Sequence, residues 1–205
     1  MAVLVGKHAP FFHDSDKTFN AVKGDGAVVG DFNFKKETSG KYAVVFFYPL
    51  DFTFVCPSEI IAFDHRLEEF KKRNVEVISV SIDSHFTHAA WRNTAVNDGG
   101  IGPVGFSMVA DLHQELVKAY DVQSDDAIAF RGSFLIDKDG VVQHQVVNNG
   151  PLGRNVDEML RMVDALQFTE EHGEVCPAGW NKGDKGMKPN AEGVASYLAA
   201  EASKL

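Results

Sequence analysis

The stretch of sequence that most constrains the fold is Tyr42–Phe47, a continuous apolar run that reads YAVVFF. Runs of this length that are rich in β-branched and aromatic residues are typical of strands buried on both faces. Strand and helix patterns alternate after it, and a hairpin and a final helix follow. This order predicts an α/β protein with a central mixed β-sheet flanked by helices.

Hydrophobic periodicity predicts the remaining elements. Residues 10–34 are rich in Gly and Asp and indicate a β-hairpin-like entry segment. We predict helices over residues 57–72, 84–96, 112–120 and 156–168, and strands over residues 75–82, 106–110, 134–137 and 141–147. A turn containing Gly140 joins the last two strands, which indicates a hairpin.

The C-terminal part of the chain differs in character from the rest. From Thr169 the composition turns to Gly, Lys, Glu, Asn and Pro, and only residues 194–198 look helical. Such a segment rarely forms its own core and is suited to lying over another surface. With 205 residues and 44% hydrophobic content, we expect one domain over residues 1–168 and an extended arm over residues 169–205.

Charge and targeting signals exclude several classes of protein. A net charge of −9 argues against nucleic acid and anionic membranes as partners, because both favour basic patches. The chain has neither a membrane-length apolar stretch nor a secretory signal pattern, so we expect a cytoplasmic protein. Ser203, Lys204 and Leu205 end the chain with the tripeptide of a peroxisomal address, which leaves the peroxisome as a minority option.

The two cysteines of the chain, Cys56 and Cys176, each lie within the tripeptide Val-Cys-Pro. Reducing compartments keep thiols reduced, so a structural disulfide is not expected without secretion. The repeated tripeptide instead indicates a reacting pair and therefore thiol redox chemistry.

The sequence around Cys56 favours a nucleophilic thiolate. Pro57 suits the first position of the following helix, which would place Cys56 at a helix N-terminus that favours negative charge. Thr53 is close enough in sequence to offer a hydroxyl group to the sulfur or to a bound oxygen. Glu59 would oppose thiolate formation by its charge, but it could orient an arginine. The alternative is a buried, inert cysteine, which is the commoner fate of a lone cysteine.

Other candidate sites are weaker. His85 and His88 are spaced i, i+3 on a predicted helix, but no further ligands for a zinc site are evident, so we assign them a structural or surface role. Residues 99–102 lack the glycine spacing of a dinucleotide site and are predicted to form a loop. We therefore expect neither a metal nor a cofactor.

Several motifs are spread along nearly the whole chain: residues 48–57 (YPLDFTFVCP), residues 83–88 (DSHFTH) with Trp91, Arg131 with Gly132, residues 150–154 (GPLGR) and residues 173–177 (GEVCP). Together these motifs resemble the typical 2-Cys peroxiredoxins, the family that includes the alkyl hydroperoxide reductase C subunit. The similarity covers nearly the whole chain.

This resemblance implies a thioredoxin-like fold and a set of roles for individual residues. Thr53 and Arg131 would hold the peroxide and stabilise charge as the O–O bond breaks. Pro49 would shield the pocket. Glu59 would anchor the arginine network, and Arg154 would supply a second cation for binding the substrate.

The resemblance also implies the reaction and the partners. Cys56 would reduce hydrogen peroxide and organic hydroperoxides and become a sulfenic acid, which Cys176 of the partner subunit would convert to an intersubunit disulfide. A thioredoxin-type or flavoprotein reductase would complete the cycle. The chain would form a homodimer and a decamer of five dimers.

Two other functions stay open at this point. Relatives can act as redox-regulated holdase chaperones, and a thiol–disulfide oxidoreductase is a further alternative, although it usually carries a CxxC motif that this chain lacks. Within the resemblance, residues 99–102 (GGIG) are similar to an element linked to over-oxidation sensitivity, but Leu198 follows Tyr197 where sensitive members have Phe. We therefore expect intermediate sensitivity to hyperoxidation.

Overall fold

A computed structural model describes residues 2–12 and 15–204. The chain divides into two compact units, Met1–Val156 and Asp157–Leu205. The C-terminal tripeptide of the peroxisomal option ends at Leu205, which lies outside the described residues. Across the described ranges, we find no helix with both the length and the apolar character that crossing a membrane requires.

The first unit contains a mixed β-sheet, as the sequence predicts. Among the described residues the sheet has seven strands in the order β2-β1-β5-β4-β3-β6-β7. Strand β4 pairs in parallel with β3 and with β5, and the other pairs are antiparallel. The strands are β1 Phe19–Val22, β2 Val28–Phe32, β3 Tyr42–Phe47, β4 Val75–Ser81, β5 Ser107–Ala110, β6 Arg131–Ile136 and β7 Val142–Asn148.

Some helices have bounds that differ from the prediction. The helix predicted over residues 57–72 is two helices, because the backbone leaves helical geometry at Arg66. The helix predicted over residues 84–96 is shorter, with Ser84 as its N-cap. The helices are α1 Phe34–Glu37, α2 Cys56–His65, α3 Leu67–Lys72, α4 His85–Asn93, α5 Glu115–Ala119, α6 Val156–His172 and α7 Ala191–Glu201.

Strand β3 organises the core because all six of its residues are buried. Successive side chains of a strand point to opposite faces of the sheet. On one face, the ring of Phe46 stacks on Phe63 of α2 with centroids 4.0 Å apart. On the other face, Phe47 packs against Tyr120 and Phe134 at 5.0 and 5.9 Å. The prediction of a strand buried on both faces is confirmed.

The sheet brings three chain segments to one edge. Strands β3 and β4 are parallel, with Phe47 opposite Val80, so the segments that follow them leave the same edge. Strand β6 is antiparallel to β3, with Ser133 opposite Phe46, so its first residue, Arg131, lies near the end of β3. The prediction began β6 at residue 134 and therefore left Arg131 just outside the strand.

The second unit consists of α6, α7 and the segment between them. Val175 and Met187 form an isolated antiparallel bridge. The Trp180 ring packs on Phe168 with centroids 4.9 Å apart, and Nη1 of Arg161 donates to the Trp180 carbonyl oxygen at 2.8 Å. Helix α6 continues to His172, four residues beyond its predicted end.

Candidate active site

Cys56 is the first residue of α2 and has no exposed surface. Pro57 occupies the first turn of the helix, as the sequence predicts. The Val55 carbonyl oxygen accepts hydrogen bonds from the backbone N–H groups of Ser58 and Glu59 at 3.1 and 3.3 Å. The Cys56 sulfur therefore lies at a helix N-terminus, where the aligned peptide dipoles favour a negative charge.

The Thr53 hydroxyl contacts the sulfur from the loop that precedes the helix. Its Oγ1 lies 3.0 Å from Sγ of Cys56 and 2.7 Å from the carbonyl oxygen of Leu50. A hydroxyl group has one hydrogen to donate and two lone pairs to accept with. When the hydrogen points to the Leu50 oxygen, a lone pair is left that can accept a hydrogen bond from a thiol or from a hydroperoxide beside the sulfur.

Arg131 reaches the sulfur from β6. Its Nη1 lies 3.4 Å from Sγ of Cys56 and 2.6 Å from Oε2 of Glu59, and its Nε donates to the Gly150 carbonyl oxygen at 2.7 Å. The guanidinium group is buried, so its positive charge acts on the sulfur with little screening by solvent. Arg131 therefore supplies the cation that a thiolate at Cys56 needs.

Arg154 is placed against Glu59. Its Nε and Nη2 lie 2.8 and 2.9 Å from the two Glu59 carboxylate oxygens, and its Nη1 donates to Gly132 and Ser133 of β6. The guanidinium carbon also lies 5.2 Å from the centre of the Phe46 ring. The contacts of Arg154 thus hold Glu59, and its predicted role as a substrate cation stays a prediction.

Glu59 is a buried carboxylate between two arginines. Burial by itself would raise its pKa, but the hydrogen bonds and charges of Arg154, together with the charge of Arg131, outweigh burial and lower the pKa. Glu59 is therefore ionised, and it compensates the positive charge that the two arginines bring to the site.

Pro49 and Tyr48 follow β3 and are both buried at the start of the loop. Tyr48 belongs to a polar cluster that sequence reasoning missed. The Tyr48 hydroxyl donates to Oδ1 of Asp51 at 2.7 Å, and Nδ1 of His88 lies 2.7 Å from Oδ2 of the same carboxylate. Burial is the main reason why the pKa of Tyr48 is raised well above 10.0.

His88 is therefore a buried residue of this cluster, and the structural or surface role expected for His85 and His88 stays a prediction. In the described part of the chain, no group of three or more His, Cys, Asp or Glu residues could hold a metal ion. The sequence signal that could have found this cluster is the segment of residues 83–88, which carries part of the family resemblance.

Cys176 belongs to the second unit and is partly exposed. Its Sγ lies 3.5 Å from the Ala165 carbonyl oxygen and 3.7 Å from Oγ1 of Thr169, both on α6. Val175 and Met187, which form the bridge described above, hold the backbone next to it. Cys176 thus has a defined position as a free thiol.

Comparison with known proteins matches most of the chain to one family. Residues 5–145 match the model of the AhpC/TSA family, and residues 165–200 match the C-terminal domain of 1-Cys peroxiredoxin. Alkyl hydroperoxide reductase C from Helicobacter pylori is 55% identical over 203 residues, which cover 99% of this chain and all of that protein. Peroxiredoxin-2 from Macaca fascicularis is 48% identical, with 95% of each chain covered.

A solved structure with the same fold supports this match. The crystal structure of the reduced 2-Cys peroxiredoxin from Plasmodium vivax superimposes with a TM-score of 0.91 at 48% sequence identity. The alignment covers 97% of this chain and all of that one. The predicted thioredoxin-like fold is confirmed.

Proposed function

The chain belongs to the AhpC/TSA family of peroxiredoxins, and on that premise we propose that it reduces hydrogen peroxide and organic hydroperoxides with Cys56 as the attacking sulfur. One observation carries the proposal: Thr53 and Arg131, from separate parts of the chain, both contact the buried Cys56 sulfur. An inert buried cysteine would need neither a hydroxyl group nor a buried cation beside it.

The first step is a two-electron transfer from sulfur to peroxide. The Cys56 thiolate attacks the terminal oxygen, so an S–O bond forms as the O–O bond breaks. The departing oxygen takes up a proton, which replaces the one that Cys56 released when its thiol ionised, and leaves as water or an alcohol. Cys56 becomes a sulfenic acid, so that overall one thiol and one hydroperoxide give one sulfenic acid and one water or alcohol. Nη1 of Arg131 and the Thr53 hydroxyl are close enough to the sulfur to contact both peroxide oxygens as their charge changes.

Glu59, Arg154 and Pro49 support this step by holding Arg131 and closing the pocket. Glu59 holds Nη1 of Arg131 at 2.6 Å, and Arg154 holds Glu59 through both carboxylate oxygens. Pro49 is buried near the end of β3 and keeps water from the pocket. A buried cation fixed in this way needs little reorganisation when charge develops in the reaction.

The second step forms a disulfide with Cys176 of the partner subunit. The Cys176 thiol attacks the sulfenic sulfur of Cys56, an S–S bond forms, and water leaves with the sulfenic oxygen. A sulfenic acid stays reversible until it is oxidised further, so a second thiol protects the enzyme. A thioredoxin-type protein or a flavoprotein reductase then returns both sulfurs to thiols by thiol–disulfide exchange.

This cycle requires at least a homodimer, and we propose a decamer of five dimers. Exposed aromatic side chains support further assembly, because Phe54 is 97% and Phe86 is 70% exposed in the single chain. Such exposed aromatic side chains become favourable contacts when another protein surface covers them. Alkyl hydroperoxide reductase C proteins from the bacteria Helicobacter pylori and Buchnera aphidicola are 55% and 49% identical to this chain, which supports a cytoplasmic location; these relatives give no support to the peroxisomal option.

Thiol counting against added peroxide tests the proposal. Reduced wild-type protein should lose two thiols for each hydrogen peroxide consumed, Cys176→Ser should lose one, and Cys56→Ser should lose none. Peroxide consumption by Cys56→Ser at the wild-type rate would contradict the proposal. The same variant tests the holdase alternative. If Cys56→Ser still protects an unfolding client protein from aggregation, that protection does not depend on peroxide chemistry.

A further inference from the structure

The peptide group between Leu50 and Asp51 is held from both sides. Its carbonyl oxygen, on Leu50, accepts the Thr53 hydroxyl hydrogen at 2.7 Å. Its N–H group, on Asp51, donates to Oδ2 of Asp83 at 3.0 Å. The C=O and N–H bonds of a trans peptide point in opposite directions within one plane. A residue that fixes the N–H therefore also fixes the direction in which the carbonyl oxygen points.

Asp83 is itself held in place at the end of β4. The Ser81 hydroxyl donates to the same Asp83 Oδ2 at 2.7 Å, and the Asp83 backbone N–H donates back to the Ser81 oxygen at 3.2 Å. The two residues thus fix each other, and the carboxylate oxygen that holds the Asp51 N–H has a defined position.

The Asp51 side chain anchors the same peptide to α4. Its carboxylate accepts from Tyr48 and contacts Nδ1 of His88, each at 2.7 Å. The side chains of Asp51 and His88 are almost fully buried, and Nε2 of His88 lies 3.4 Å from the Val109 carbonyl oxygen in β5. Hydrogen bonds between buried groups of this kind are costly to break, because the partner is left unsatisfied.

We propose that Asp83 and His88 are positioning residues that orient the Leu50–Asp51 peptide and thereby aim the Thr53 hydroxyl at the Cys56 sulfur. With its hydrogen on Leu50, Thr53 has its lone pairs free to accept a hydrogen bond from the O–H of a hydroperoxide that approaches the sulfur. If the peptide turned, Thr53 would lose its acceptor and the hydroxyl would rotate away from that geometry. Asp83 and His88 contact the backbone and the side chain of Asp51, so both act on the reaction through Thr53.

The inference rests on the proposed peroxidase function. It is tested with two matched pairs of variants made in the Cys176→Ser protein. In that protein only the first step, the oxidation of Cys56 by peroxide, occurs. Asp83→Ala removes the acceptor of the Asp51 N–H, whereas Asp83→Asn keeps an oxygen there. His88→Leu removes the group that contacts Asp51, whereas the amide of His88→Asn can donate in place of Nδ1. Thr94→Val, which removes a hydrogen bond to Ala90 near the end of α4, is the control.

Two rate constants are measured for each variant, for hydrogen peroxide and for iodoacetamide. Alkylation needs the thiolate but no oriented Thr53, so the ratio of the two rates isolates the positioning. We expect Asp83→Ala and His88→Leu to lose about 10- to 100-fold in the peroxide rate, with alkylation changed less than about 3-fold. Asp83→Asn and His88→Asn should recover most of the peroxide rate, and Thr94→Val should match the parent.

Three results would overturn the proposal: an unchanged peroxide rate in Asp83→Ala and His88→Leu, equal losses in the conservative variants, or parallel changes in both rates. If circular dichroism shows that Asp83→Ala does not fold, the proposal is judged on His88→Leu and His88→Asn alone. A parent protein that does not react with hydrogen peroxide would contradict the proposed function itself, which is a separate result.

Discussion

Nη1 of Arg131 lies 3.4 Å from the sulfur of Cys56. The same nitrogen also lies 2.6 Å from Oε2 of Glu59, so its two hydrogens serve a carboxylate and a sulfur at once. The carboxylate keeps the guanidinium in place, and the guanidinium presents a buried positive charge to the reacting atom. This arrangement explains how an acidic residue three positions after Cys56 can assist a thiolate that its own charge would oppose.

Arg131→Lys should slow the reaction of Cys56 with peroxide by about 100-fold. An ammonium group is a single point charge and cannot contact Glu59, Cys56 and Gly150 in the forked geometry of a guanidinium. Stopped-flow kinetics with hydrogen peroxide would measure the loss. Arg161→Lys, which alters an arginine paired with Glu158 on α6, should react at the wild-type rate. Equal rates for Arg131→Lys and wild type would show that the forked contacts are dispensable.

Thr53→Val should lower the peroxide rate by about 100- to 1000-fold, because the isosteric side chain removes the hydroxyl group beside the sulfur. Thr53→Ser keeps the hydroxyl and should stay within about 10-fold of wild type. The same stopped-flow measurement compares the two variants. If Thr53→Val and Thr53→Ser react equally fast, the hydroxyl group has no role in the step.

Glu59→Gln should destabilise the protein in a pH-dependent way. Burial opposes ionisation, but the two arginines lower the pKa of Glu59 below its ordinary value of 4.5. A carboxyl with a depressed folded pKa stabilises the fold above its unfolded pKa, and this stabilisation is lost as the pH falls through the folded pKa. We expect a loss of about 3–5 kcal/mol in the free energy of unfolding at neutral pH.

Urea denaturation between about pH 3 and pH 7 would measure this difference. The difference between wild type and Glu59→Gln should be constant above about pH 5 and should shrink as the pH falls below 4.5. Glu76→Gln, which breaks a partly exposed ion pair with Lys41, should cost under about 1 kcal/mol. A Glu59→Gln difference that grows at low pH would contradict the assigned direction of the pKa shift.

Leu198→Phe should make the enzyme more sensitive to hyperoxidation. Leu198 is 44% exposed on α7, and its neighbour Tyr197 lines a cavity of about 600 Å³ together with Trp180, four residues after Cys176. A second aromatic ring adds apolar area that would hold this segment and slow the release of Cys176. A sulfenic acid at Cys56 that persists longer before Cys176 reacts with it is oxidised further to a sulfinic acid.

Mass spectrometry of Cys56 across a peroxide titration would detect this change. We expect half-maximal sulfinic acid at about 3- to 10-fold less peroxide in Leu198→Phe than in wild type. Leu198→Met, of similar volume, should behave as wild type. An identical titration for all three proteins would mean that α7 does not control this step.

The sequence predicted those features that depend on local pattern. Strand β3 begins and ends where it was predicted, because its apolar run stops just before Tyr48 and Pro49. The start of α2 was predictable because proline is favoured in the first turn of a helix. The break at Arg66 was missed because apolar residues continue at helical spacing from Ile60 to Phe70, and periodicity does not report a change of backbone geometry between them.

Which residues make up the site depends on tertiary structure, and this was harder to predict from the sequence. Arg131 and Arg154 are 75 and 95 residues from the groups they contact, so only the family resemblance connected them to Cys56. The contacts of Asp51 with Asp83 and His88 require β3, β4 and α4 to be placed by the strand order of the sheet. No local pattern contains that information.

The most direct test of the account adds one equivalent of hydrogen peroxide to the reduced protein and analyses it on a non-reducing gel with peptide mass mapping. The account predicts a rapid shift to a chain dimer linked through Cys56 of one subunit and Cys176 of the other. A sulfenic Cys56 with Cys176 still free would contradict the proposed resolving step. No modification of Cys56 would contradict the peroxidase function altogether.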